Sequence, residues 1–135
     1  MELIIVIIIV GILATVGLNQ YTKMVDRGRQ SEAITILGNI RKNIKFFYLQ
    51  NGKVDGITNT DIDIGTSSGQ IPSACDTSHY FSYGIYYVST ASQKVEIRAN
   101  RCTSGGKAPQ GSSCYIWWLI YPQSGVDVAY ENTCS

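Results

Sequence analysis

Leu3 to Leu18 reads LIIVIIIVGILATVGL: no charge, and Thr15 as its one polar side chain. Glu2 stands immediately before it, and Asn19-Gln20-Tyr21 follows. As a helix the run would be about 24 Å long at 1.5 Å per residue. A bilayer core takes roughly 20 residues, so the run is slightly short for a span and too long for an ordinary surface helix. No basic region precedes it, and no small-x-small site followed by a loop ends it, which argues against a signal-peptide core. Composition alone leaves a plain membrane anchor open.

Helical periodicity continues past the run. Ala33, Leu37, Ile40, Ile44 and Phe47 recur at spacings of four and three, an apolar stripe on one face. Arg29, Glu32, Arg41, Lys42 and Lys45 occupy the other faces. Asn51-Gly52 closes the pattern, since Gly just past a helix is a C-terminal signal. The spacing predicts one helix from the N-terminus to about Asn51, roughly 75 Å of it. That is more than one small domain needs, so half of the helix must find partners elsewhere. Tyr21, Phe46, Phe47 and Tyr48 lie on it and read as packing residues.

Residues 53–79 are rich in Gly, Ser, Thr, Asn and Asp and are expected to be irregular. Strand patterns follow at Tyr80–Ser89, at Lys94–Arg101 (Val95, Ile97 and Ala99 inward), at Cys114–Tyr121 (CYIWWLIY) and at Val126, Val128 and Tyr130. Short connections favour an antiparallel meander. Trp117 and Trp118 must point to opposite faces, one into the core and one towards a loop or neighbour. The stripe Ala33–Phe47 can cover the sheet. The expected fold is α+β: a long N-terminal helix on a four-stranded antiparallel sheet. Residues 1–22 would protrude. Residues 23–135 would be globular, divided into helix 23–51, loop 52–79, sheet 80–131 and tail 132–135.

The 135 residues suit one domain. A net charge of +1 draws in neither nucleic acid nor acidic substrate. The charge is unevenly placed: residues 23–45 carry a net +4, residues 53–135 a net −2. A basic helix meeting acidic neighbouring domains would help copies pack; a merely solvated helix face is the alternative. The four cysteines, Cys75, Cys102, Cys114 and Cys134, form no C-x-x-C pair, and His79 has no spaced Cys partner, so zinc is not expected. Their even number beside an apolar segment points to disulfides in an oxidising compartment. Three pairings are possible. Cys102 and Cys114 flank the loop Thr103–Ser113 between two antiparallel strands, which favours Cys102–Cys114 and leaves Cys75–Cys134. Asp55, Asn59, Asp61 and Asp63 could offer oxygens to calcium, but their spacing is not an EF-hand and they are also turn formers. No cofactor is expected. No G-x-S-x-G, His cluster or phosphate loop marks an enzyme.

Met1-Glu2-Leu3, the apolar run, Gly11-Ile12-Leu13-Ala14 and Gln20-Tyr21 together resemble the mature N-terminus of bacterial type IV pilins, a block shared by type II secretion pseudopilins. The specific likeness covers about the first thirty residues; the layout of helix, loop, sheet and C-terminal cysteines extends over the chain. The resemblance implies an inner-membrane subunit, processed by a prepilin peptidase and assembled by pilus machinery with copies of itself. That filament lies outside the cell. No nucleic acid or small-molecule substrate is implied. Glu2 would neutralise an N-terminal amine in the filament core and so select axial register. The family pattern sets its glutamate a few residues after the cleavage site, so further apolar residues are expected ahead of Met1, restoring roughly the 20 a bilayer takes. Many family members carry proline where this chain has Asn19. Asn19 keeps its N–H, but Gly11 and Gly17 each weaken the helix by about 1 kcal/mol relative to Ala, so local melting between Gly11 and Asn19 is expected in the filament. The functional expectation is the major pilin of a type IV pilus. The alternatives are the major pseudopilin of a type II secretion system and a membrane-anchored periplasmic binding or enzymatic module.

Overall fold

The computed structural model describes residues 2–124 and 129–134. The chain divides into two compact units, Met1–Ser31 and Glu32–Ser135. A single helix, α1 (Glu2–Asn51), supplies all the described structure of the first and opens the second. It ends where the sequence signals: Gly52 takes φ +71°, and its N–H donates to the Tyr48 carbonyl at 2.7 Å. That left-handed residue satisfies a carbonyl of the last turn, a geometry glycine adopts without a Cβ penalty.

In the second unit, the stripe Ala33, Leu37, Ile40 and Ile44 is fully buried, and Phe47 packs against the same core. Facing it is an antiparallel sheet in the order β3–β4–β5–β6, with β3 Phe81–Ser89, β4 Lys94–Arg101, β5 Tyr115–Ile120 and β6 Tyr130–Asn132. Inward residues Phe81, Tyr83, Val95, Ile97, Ala99, Ile116 and Ile120 complete the core. Alternate residues of each strand share a face, which is why period two in β4 and period 3.6 in α1 meet in one apolar layer. The α+β architecture follows the expectation. Of the last expected strand, Tyr130 lies in β6 (Tyr130–Asn132), while Val126 and Val128 fall outside the described residues.

Residues 53–79 are more ordered than their composition suggests. A 3-10 turn, Asn59–Ile62, is followed by two short parallel strands, β1 (Ile64–Gly65) and β2 (Ile71–Pro72). Val54, Ile57, Ile62 and Ile64 are buried and join the main core. Asn59 Oδ1 accepts the Ile85 N–H at 2.9 Å, and the Asn43 amide donates to the Ile62 carbonyl at 3.0 Å. The segment is thereby tied to both β3 and α1, and it supplies a partner for one outward donor of the edge strand.

The disulfide pairing corrects the sequence expectation. The bonds are Cys75–Cys102 and Cys114–Cys134, not Cys102–Cys114 and Cys75–Cys134. Register is the reason. In the β4–β5 ladder Asn100 faces Tyr115, and the Arg101 N–H donates to the Cys114 carbonyl. Cys114 therefore stands opposite Arg101, one residue out of step with Cys102, and a one-residue step turns a side chain to the other face. In the β5–β6 ladder Ile116 faces Asn132; the same register carries Cys114 to Cys134. Cys102 instead donates its N–H to the Tyr80 carbonyl on the β3 side, which brings it to Cys75.

Candidate functional site

In residues 2–31 the large apolar side chains from Leu3 to Leu18 are 51–81% exposed. The most apolar 18-residue window of α1 has a mean hydropathy of 2.5, and none of it is buried. It is long and apolar enough to cross a membrane. The two threonine hydroxyls of residues 2–31 bond within the helix. The Thr15 hydroxyl donates to the Ile12 carbonyl at 2.8 Å, and Thr22 donates to that of Asn19 at 3.0 Å. Such back-bonding removes a hydroxyl that hydrocarbon would penalise. Asp26 and Arg29 pair at 2.7 Å beyond the apolar stretch. Glu2 lies in the first turn, where a carboxylate suits the helix dipole. Gly11, Gly17 and Asn19 all lie within continuous helix, and a Cβ at either glycine would meet nothing within 4 Å. An uninterrupted apolar surface of this kind exceeds what a soluble monomer leaves to water.

The other sequence-singled residues have local roles. Asp61 accepts the Thr58 N–H at 2.8 Å and the Thr58 hydroxyl at 2.6 Å, a capping box on the 3-10 turn. Those bonds hold its carboxyl below the usual carboxylate range. Asp63 closes that turn in a left-handed conformation, φ +66°. Asp55 accepts from the Gln93 amide at 3.0 Å and lies 3.8 Å from Lys53. Asp61 thus caps its turn through one carboxylate oxygen, Asp55 is held by Gln93 and Lys53, and Asp63 closes the turn through its backbone. Among the described residues no three Asp, Glu, His or Cys side chains gather as metal ligands do. His79 has a close serine neighbour: Ser78 Oγ lies 2.6 Å from its Nδ1. The Ser78 hydroxyl and N–H both donate to Asp76 Oδ1, which holds the Asp76 carboxyl low, with a smaller contribution from His79. This is a turn closed by its own aspartate.

The loop 103–113 folds back on the sheet end. The Gly111 N–H reaches the Cys102 carbonyl, and the Arg101 guanidinium donates to the Pro109 carbonyl at 3.0 Å. Trp118 packs against the core, edge-on to Tyr130, while the Trp117 Nε1–H donates to Glu131 at 2.7 Å on the opposite face. On that outer face Arg98 lies 3.2 Å from the Tyr86 ring centre and 5.1 Å from that of Tyr115, its Nε bonded to Glu96. Sequence pattern could assign these residues to a face but not foresee the stack, because the bulge at Ile85/Tyr87 brings Tyr86 into it.

An α+β unit bearing a bare apolar N-terminal helix defines a filament- or membrane-associated class of protein, and the comparisons narrow it. The chain is 34% identical over 113 residues to a fimbrial protein of Neisseria meningitidis serogroup B, covering 82% of this chain and 65% of that protein. It is 31% identical over 133 residues to a fimbrial protein of Neisseria meningitidis serogroup A, covering 97% of this chain and 76% of that protein. No family model and no solved structure matches. The chain belongs to the type IV pilin family of fimbrial proteins.

Proposed function

We propose that this chain is the major structural subunit of a type IV pilus, held first in the inner membrane by its apolar helix and then packed by the same helix into the core of an extracellular filament. The observation that carries this reading is the wholly unburied run Leu3–Leu18 in a chain whose residues 32–135 already close a core of their own. Moving that helix from lipid into an equally apolar bundle of copies costs little hydrophobic free energy. The contact-free Gly11 and Gly17 leave room for close approach of neighbouring helices. They also mark the stretch, ending at Asn19, whose helix loosens most readily in the filament. Glu2 supplies the register. A carboxylate in an apolar core costs several kcal/mol unless it is neutralised, so a subunit in the correct axial position, its Glu2 paired with an N-terminal amine, is selected over misplaced ones. A prepilin peptidase and the pilus assembly machinery act on the chain before this step.

Electron microscopy of sheared surface fractions tests the proposal. Micrometre filaments containing this chain are expected. Glu2→Ala is expected to leave the subunit in the membrane with few filaments. A normal filament yield from Glu2→Ala would overturn the register role, and absence of surface filaments from the unaltered chain would overturn the pilus.

A further inference from the structure

On α1, Lys42, Phe46 and Leu49 recur at spacings of four and three and share one face. Phe46 is 62% exposed and Leu49 79%. They lie outside the stripe that covers the sheet, Lys42 is exposed beside them, and no ion pair holds Lys42 among the described residues. A cation followed by two bare apolar side chains is an unusual use of a helix face that the fold leaves to solvent.

A second patch in the same unit has the opposite composition. The 3-10 turn is anchored to β3 through Asn59 and the Ile85 N–H. Two residues past the anchor on the turn side stands exposed Asp61; one and two residues past it on the strand side stand Tyr86 and Tyr87, 63% and 51% exposed. The Thr58 hydroxyl and N–H both donate to Asp61 Oδ2 and fix its carboxylate on that side of the turn. Arg98 covers one face of the Tyr86 ring.

We infer that the Lys42–Phe46–Leu49 stripe of one subunit docks on the Asp61–Tyr86–Tyr87 corner of the next. This rests on the filament reading above and names a contact within it. The occupant is a second copy because the complement is present on the same chain: cation with apolar groups on one patch, and on the other an anion with aromatic groups, where the Arg98 charge over Tyr86 is already balanced by Glu96 at 2.8 Å. The wider charge division, net +4 over residues 23–45 and −2 over residues 53–135, has the same sense. The two patches differ, so the contact is heterologous, and a heterologous contact that does not close on itself propagates as an open helix. Phe46 and Leu49 against tyrosine rings remove apolar area from water. Lys42 against Asp61 favours the right neighbour and repels a slipped one, in which like charges would meet.

Cross-linking in assembled filaments tests this. The full chain carrying Leu49→Cys and Tyr87→Cys together, oxidised in the filament and run without reductant, is expected to give a ladder of dimers, trimers and longer products. Each single variant is expected to run as monomer. Lys42→Glu is expected to reduce filament recovery about tenfold. Filaments formed in normal yield by the double variant but without a ladder, or a ladder from either single variant, would overturn the docking while leaving the pilus intact. No filaments from the unaltered chain would remove both.

Discussion

Cys114 and Cys134 are bridged across the β5–β6 ladder with their Cα atoms 5.0 Å apart, so the last described strand is held by a covalent bond as well as by its few backbone bonds. β6 is only three residues long, and a short terminal strand frays unless it is tied down. Closing a loop of this length is worth about 3 kcal/mol through the unfolded chain. Replacing both Cys114 and Cys134 by Ala is therefore expected to lower stability by about that amount and to expose the β5 edge, seen as loss of hydrogen-exchange protection from Tyr115 to Ile120. Peptide mapping without reductant is expected to recover Cys75 with Cys102 and Cys114 with Cys134. A Cys102–Cys114 peptide would contradict the register.

Ile40 sits at the centre of the helix stripe with no exposed surface. Ile40→Ala removes buried methylenes and leaves a cavity between helix and sheet, at a cost of about 2–5 kcal/mol. Lys42→Ala, two residues on and on the solvent side, is expected to change stability by less than about 0.5 kcal/mol. Denaturant unfolding of the two variants checks the assignment of the faces.

The Tyr83 hydroxyl is buried with no hydrogen-bond partner among the described residues. Burial first, and the Glu32 charge second, push its pKa well above the ordinary value. The neutral form is the one the fold accommodates. Its contribution is therefore full below about pH 10, where the unfolded chain begins to ionise, and is lost as pH rises towards the raised folded value. Tyr83→Phe is expected to be neutral or stabilising by up to about 1 kcal/mol near pH 7, because an unpaired buried hydroxyl disappears. It should also lose less stability than the parent above about pH 10. Melting curves across that range measure both.

Asp61 shows the opposite sign. Its folded pKa is lowered by the Thr58 hydroxyl first and the Thr58 N–H second. The stabilisation is present above the unfolded value, about pH 4, and disappears as pH falls through the lowered folded value. Asp61→Asn is expected to lie below the parent in stability at pH 7, and the two curves should converge in strong acid. Parallel curves down to about pH 2 would mean that the cap does not depend on the ionised carboxylate.

Much of this was legible because it is written in local pattern. The stripe from Ala33 to Ile44 obeys one period and the alternation in Lys94–Arg101 another, and each period fixes which residues face the core. The loop contribution was not legible. Val54, Ile57, Ile62 and Ile64 are scattered among turn formers, and their burial depends on Asn59 and Asn43 reaching β3 and α1 across gaps of 26 and 19 residues.

The sequence by itself determined the bare apolar helix, the place where α1 stops and the antiparallel meander, because hydropathy, a glycine past a helix end and period-two alternation act over a few residues. Tertiary structure alone decided which cysteines meet. Three pairings are open to four cysteines, and a single residue of register, between Arg101 opposite Cys114 and Cys102 one step beyond, separates the pairing that forms from the one that hairpin spacing suggests. Register is a property of two strands and their common core, and no one stretch of sequence contains it.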